Sequence, residues 1–205
     1  MTIFDLDGTL IDITDRWYQL HSDVAQEYGL PIIPREEYLA AKRDGVAEVD
    51  IMSHVAGNLP EITQYCKARI ERIENEEYLN FDKLFDGIKE TLTAWQRRGP
   101  LVLASIRNNH LAATQELERL GLAGFFQSVK FVRDTGKKAL FTEMASEYGT
   151  VTSISDSIED YHEAQEAGLH AIAVGYGCRN KLAFEERGIG EVIASVNDLE
   201  RLALQ

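Results

Sequence analysis

The chain has 205 residues, 44% of them hydrophobic, enough to bury a full core in one or two compact domains. Its formal charge of -13 argues against a nucleic-acid or anionic-membrane surface, since either would select clustered lysine and arginine. No apolar run approaches the roughly 20 residues of a membrane span, and the start is neither basic nor signal-like. Cys66 and Cys178 are far apart and form no metal-type pair, as expected of ordinary thiols in a reducing cytoplasm. His21, His54, His110, His162 and His170 show no metal-ligand spacing and read as surface or capping residues.

The first element is a short apolar run, Met1-Thr2-Ile3-Phe4, followed at once by Asp5-Leu6-Asp7-Gly8-Thr9-Leu10. Residues two apart on a strand share a face, so Asp5 and Asp7 are crowded like charges where the strand gives way to a glycine turn. Such a pair is costly unless a cation lies near it or one carboxyl is protonated. Thr9 is placed to hold Asp7 or the turn through its hydroxyl. Helical spacing of Trp17, Leu20, Val24 and Tyr28 follows, ended by Gly29 and Pro31. Further helices are expected over 36–42, 46–56 and 60–78, the last with a face of Ile62, Cys66, Arg69 or Ile70, and Ile73, and with no strand between them.

From Phe85 the pattern changes to alternating helices and short apolar strands. Helices are expected over 88–98, 110–120, 139–148 and 159–167, and strands over 101–105, 129–132, 151–154 and 171–174. Strands separated by helices of this length call for a parallel sheet. The expected fold class is therefore α/β: a Rossmann-like parallel sheet core from residues 1–12 and 85–205, with an inserted all-helical segment over 13–84.

Parallel sheets bind ligands at the carboxyl ends of their strands, and three further strand ends carry polar residues. Ser105 ends one strand and is followed by Ile106-Arg107-Asn108; Asn108 or Asn109 can cap the next helix. Lys137, in Gly136-Lys137-Lys138-Ala139, sits near a helix start, where the helix dipole disfavours a cation and hints at another purpose. Counting back from the helix end favours Lys137, with Lys138 as the alternative. Ser153-Ile154-Ser155-Asp156-Ser157-Ile158-Glu159-Asp160 follows the strand that starts at Val151 and also reads as a capped helix start.

These four strings, in this order, resemble motifs I to IV of the haloacid dehalogenase (HAD) superfamily of phosphohydrolases and phosphotransferases. The resemblance spans nearly the whole chain. It implies a HAD-like catalytic core with a helical cap inserted after motif I, as in phosphoglycolate phosphatases and β-phosphoglucomutases. It implies Asp5 as nucleophile and Asp7 as general acid and base. Thr9, Ser105, Ile106, Arg107 and Lys137 are then phosphate-binding, and Mg²⁺ is the cofactor, held by Asp5, Asp7 (through its carbonyl) and Asp156. Asp160 would orient the lysine or a metal-bound water. Two departures stand out: Ser155 replaces the usual motif IV glycine, and no proline follows the motif III lysine.

The chemistry is coherent without the resemblance, because an acyl phosphate hydrolyses far more readily than a phosphomonoester. Relatives that attack carbon lack a carboxylate two residues after the nucleophile, so Asp7 implies phosphoryl transfer. The expected activity is hydrolysis of a small phosphorylated metabolite by a monomer or homodimer, with no nucleic-acid or membrane partner. Arg16, Lys42 and Arg43 are the candidate specificity residues of the cap, Lys42-Arg43-Asp44-Gly45 lying between two cap helices. The same motifs also suit a phosphomutase of the β-phosphoglucomutase kind. A non-catalytic metabolite-binding protein is the alternative of another class.

Overall fold

The computed structural model describes every residue except Asn58, Asp134 and Thr135. The chain divides into two compact units, one of Met1–Asp12 with Lys83–Gln205 and the other of Ile13–Asp82.

The first unit is built on strands β1 (Thr2–Phe4), β2 (Ile11–Asp12), β3 (Lys83–Leu84), β4 (Leu101–Ile106), β5 (Ser128–Val132), β6 (Thr152–Ser155), β7 (His170–Val174) and β8 (Val192–Ile193). Six of them form one sheet in the order β5-β4-β1-β6-β7-β8, parallel at every pairing. The strand order reverses direction at β1, which opens a crevice at the carboxyl ends of the central strands. β1 sits between β4 and β6, with Phe4 in register with Leu103 on one side and Ile154 on the other. Its residues are buried on both faces, which explains why it reads as an apolar run without alternation.

The remaining two strands form an antiparallel ladder, Ile11 opposite Leu84 and Asp12 opposite Lys83. This pairing draws residues 83 and 84 into the sheet unit, so the division falls two residues before the expected 84/85 boundary. A two-residue strand is too short to leave a periodic signal.

The second unit consists of helices α1 (Thr14–Glu27), α2 (Arg35–Arg43), α3 (Glu48–Ala56), α4 (Glu61–Arg72) and α5 (Glu76–Leu79). Leu20, Val24, Tyr38, Met52 and Tyr65 form the centre of its core. The expected helix over 60–78 is broken, because Asn75 takes an extended conformation (φ -70°, ψ 142°) and starts α5 afresh. On α4 the buried face also departs from hydropathy: Arg69 is buried, whereas Ile70 is 77% exposed.

Helices α6 (Ile88–Arg98), α7 (His110–Leu120), α8 (Lys138–Tyr148), α9 (Ile158–Glu166), α10 (Lys181–Glu185) and α11 (Val196–Ala203) complete the sheet unit. Parallel strands need such crossovers. Leu140, Phe141 and Met144 of α8 pack with Ile3, Val102 and Ala104 of the central strands. Trp95 of α6 meets Phe4 edge-on at 5.9 Å and donates from its indole N–H to Leu199 O of α11 at 3.2 Å. Among the described residues, no helix is long and apolar enough to cross a membrane.

Candidate active site

Asp5 leaves the carboxyl end of β1 with its N–H still donating to Ile154 O of β6 at 3.0 Å. The chain then turns tightly: the N–H groups of Leu10 and Ile11 donate to Leu6 O at 2.9 and 3.2 Å. Gly8 makes this possible at φ +73°, and a Cβ there would lie 2.0 Å from Asp156 Oδ2. The glycine is thus required both by its conformation and by the carboxylate pressed against it.

Lys137 is the N-cap residue of α8 and is buried. Its Nζ donates to Asp5 Oδ1 and to Asp160 Oδ2, both at 2.6 Å. Lys138 points away and pairs on the surface with Glu166 at 2.7 Å. The geometry therefore separates the two lysines that the sequence left open. Burial disfavours the Lys137 ammonium, but the two carboxylates outweigh it and hold its pKa above the ordinary lysine value.

Ser155 ends β6, and its hydroxyl donates to Asp160 Oδ2 at 2.7 Å and accepts the Ser157 N–H at 3.1 Å. The same oxygen lies 3.4 Å from Asp5 Oδ2. Serine in place of glycine thus adds a hydroxyl between the Asp5 and Asp160 carboxylates. Ser157 caps α9 by accepting the Asp160 N–H at 3.2 Å, so one short loop fixes both serines and Asp160.

Asp156 follows directly. Its N–H donates to Thr9 Oγ1 at 3.0 Å, and its Oδ2 accepts the Cys178 N–H at 2.7 Å. Thr9 is therefore engaged with Asp156, not with Asp7, because the Gly8 turn folds against the loop after β6. Burial, followed by the charge of Asp5, pushes the Asp156 carboxyl up to about 7. Burial pushes Asp5 up to about 6, with Lys137 pulling the other way.

Two buried carboxylates whose proton affinity is raised, Asp156 partly by the charge of Asp5, are what a hard cation would relieve. Among the described residues no group of three or more His, Cys, Asp or Glu side chains is arranged to hold a metal. Two carboxylates and a main-chain carbonyl nevertheless suit Mg²⁺, which retains several waters. The residues present fit that ion.

Ser105 is buried near the end of β4, opposite Phe131 of β5. Ile106, the last residue of β4, is 40% exposed. Arg107 differs from expectation. Its main-chain N–H donates to Val132 O at 3.0 Å, and its buried guanidinium Nη2 donates to Asp7 Oδ1 at 2.5 Å and Glu116 Oε2 at 3.0 Å. These donors are committed inside the protein, not held open for phosphate. Asn109, the second of two cap candidates, accepts the Ala112 N–H and starts α7.

Sequence reasoning missed three contributors. Glu116 lies on the buried face of α7 with Ala112, Ala113 and Leu117, a helical spacing that could have flagged a carboxylate among apolar positions. Tyr176 and Cys178 come from Gly175-Tyr176-Gly177-Cys178 after β7, where the Tyr176 hydroxyl donates to Thr9 O at 3.0 Å. A glycine-flanked loop at the carboxyl end of a parallel strand was the available signal. A Cβ on Gly177 would lie 1.8 Å from Gly8 O.

In the helical unit Arg16 is buried, its Nε 3.2 Å from Asp82 Oδ1. Its charge faces that of Asp82 within the helical unit. Lys42 Nζ lies 3.2 Å from Glu48 Oε2 and 5.0 Å above the Trp17 ring, whereas Arg43 is exposed. Glu48 is itself anchored, accepting from Arg69 Nη1 at 2.8 Å, Tyr65 Oη at 2.6 Å and Tyr38 Oη at 3.1 Å.

His21 is fully buried, which corrects its reading as a surface or capping residue. Its Nε2 accepts the Ile33 N–H at 3.0 Å, so the proton resides on Nδ1, 2.7 Å from Tyr65 Oη. Burial, then the nearby Arg69 charge, pushes its pKa down to about 4.

The fold and this arrangement of carboxylates and lysine define a Rossmann-like enzyme of the HAD type. The family model described as haloacid dehalogenase-like hydrolase matches residues 2–174, and the chain belongs to that family. No curated protein matches the sequence.

Solved structures similar to it include a haloacid dehalogenase-like family hydrolase from Streptococcus pneumoniae (TM-score 0.78, 17% identity, 99% of this chain and 96% of that one). Another is a predicted phosphatase from Clostridium acetobutylicum (TM-score 0.74, 18% identity, 99% and 97%). A third is a predicted phosphoglycolate phosphatase from Haemophilus somnus (TM-score 0.72, 18% identity, 98% and 96%). At these identities the likeness is one of fold.

Proposed function

We propose that this protein is a Mg²⁺-dependent phosphomonoester hydrolase that works through an aspartyl-phosphate on Asp5. The observation that carries the reading is Lys137 Nζ bridging Asp5 and Asp160 at 2.6 Å each, with Asp7 two residues beyond Asp5. A buried lysine clamped between two carboxylates fixes the orientation of one and leaves a cation where phosphoryl charge would develop.

In the first step an Asp5 carboxylate oxygen attacks phosphorus. The bond from phosphorus to the leaving oxygen breaks, and Asp7 gives that oxygen its proton. In the second, Asp7 takes a proton from water as the water oxygen bonds to phosphorus. The bond between phosphorus and the Asp5 oxygen breaks, which frees phosphate and regenerates both carboxyl groups. Lys137 and Ser105 offset charge on the transferring oxygens. Asp5, Asp156 and the main-chain carbonyl of Asp7 would hold Mg²⁺, which when bound supplies further positive charge to the phosphoryl group.

The substrate is a small phosphorylated metabolite, and the candidate cations of the helical unit for a second anionic group are Arg43, which is exposed, and Lys42, which would have to leave Glu48. The test is a panel of phosphoglycolate, sugar phosphates and nucleoside monophosphates with Mg²⁺, following phosphate release alongside isomerisation of the sugar phosphates. Asp5→Asn should abolish release of inorganic phosphate. Undiminished turnover in that variant would remove Asp5 as nucleophile, and isomerisation without release would make the protein a mutase.

A further inference from the structure

Arg107 and Glu116 form an ion pair whose two side chains are each only 1% exposed, beneath an Asp7 side chain that is 29% exposed. Burying such a pair is a poor route to stability, because desolvation consumes most of the attraction. Here the guanidinium is not even fully used: Nε and Nη1 are buried and find no hydrogen-bond partner among the described residues. An unmade hydrogen bond at a buried donor carries its own cost. What the arrangement achieves is a cation that cannot change rotamer. Glu116 holds it from α7 at 3.0 Å, and the Arg107 main chain is tied to Val132 at 3.0 Å. Its Nη2 is directed at one oxygen of Asp7.

We propose that Arg107, anchored by Glu116, is a positioning residue for Asp7. The contact fixes the plane of the Asp7 carboxyl group through Oδ1 so that proton exchange with the leaving oxygen, and later with water, occurs at a defined place. This inference rests on the reading of Asp7 as general acid and base. It differs from a phosphate-binding role for Arg107, because the guanidinium acts through Asp7 and not on the phosphoryl group.

Replacing Arg107 alone would strand the buried Glu116 charge, so the test uses Arg107→Met with Glu116→Leu, which removes both charges at similar volume. The wild type and this double variant are compared on p-nitrophenyl phosphate, whose leaving group departs without a proton, and on β-glycerol phosphate, whose alkoxide needs one. The expected result is a loss of kcat at least about 10-fold larger on the alkyl ester, with KM changed by a similar factor on both. Adding Asp7→Asn should erase the difference, leaving the triple variant no slower than Asp7→Asn itself.

Equal losses on both esters, or a full further loss in the Asp7→Asn background, would overturn the inference while leaving the hydrolase reading intact. A wild-type protein that releases phosphate from neither ester and from no member of the substrate panel would remove that reading and the inference with it.

Discussion

The main chains of Gly8 and Gly177 touch beside Asp156: a Cβ on Gly177 would lie 1.8 Å from Gly8 O and 2.9 Å from Asp156 Oδ2. No rotamer change can relieve a clash with a carbonyl oxygen, so Gly177→Ala must displace either the turn that carries Asp7 or the loop that holds Asp156. Overpacking of this kind costs about 1–3 kcal/mol, and a misplacement near 1 Å can cost about 100-fold in rate. The variant should fold, melt lower and lose about two orders of magnitude in kcat. Circular dichroism and phosphate-release kinetics check both parts.

Lys137 and Lys138 should respond in opposite ways to replacement by alanine. Without Lys137, Asp5 and Asp160 are left as buried carboxylates, a change worth about 3–5 kcal/mol when one partner of a buried pair is removed. Turnover should fall below detection. Lys138→Ala removes only a surface contact to Glu166, and its melting temperature and kcat/KM should match the wild type. Similar losses in both variants would exclude the geometric distinction drawn between them.

The acid groups set the sign of the metal effect. Folding raises the carboxyl groups of Asp5 and Asp156 from the ordinary 3.8 to about 6 and about 7. Between those values the folded state therefore holds more protons than the unfolded one, and metal-free stability falls as pH rises from about 4 to about 7. On the proposed reading Mg²⁺ would compete with those protons. Its stabilising shift in melting temperature, measured against EDTA, should be several-fold larger at pH 8 than at pH 5. Asp156→Asn should flatten the dependence, and an equal shift at the two pH values would contradict it.

The helical unit should show the opposite trend. The pKa of His21 falls from the ordinary 6.5 to about 4 on folding, so the unfolded state binds the extra proton. Stability from this group is complete above about pH 6.5 and is lost as pH falls toward 4, on the order of 3 kcal/mol. Trp17 lies in this unit and Trp95 in the other. Trp17 fluorescence in a Trp95→Phe background should therefore report unfolding that advances with acid. His21→Phe should remove the acid sensitivity.

The sheet was legible because a short run such as Ile3-Phe4, ended abruptly by carboxylates, suits little besides a buried strand, and because the helices between strands show clear periodicity. Lys137 was readable as a cation placed against its own helix dipole. What the sequence could not show was where neutralisation occurs. Arg107 was set against phosphate through the resemblance to motif II, and its partner Glu116 lies nine positions later on the buried face of α7. On α4, Arg69 and Ile70 exchange the places that hydropathy assigns, because Glu48, Tyr38 and Tyr65 supply enough acceptors to bury a guanidinium. For Thr9 the sequence offered Asp7 or the turn, because its partner Asp156 is distant in sequence. Short elements such as β2 and β3 carry no period at all.

Those two short strands have a consequence of their own. Asp12 and Lys83, the last residue before the helical unit and the first after it, are direct cross-strand partners. The inserted segment thus begins and ends at one rung of a ladder. The chain therefore leaves the sheet unit and returns to it at a single cross-strand pair, so the closure of the insert is fixed within the sheet unit itself.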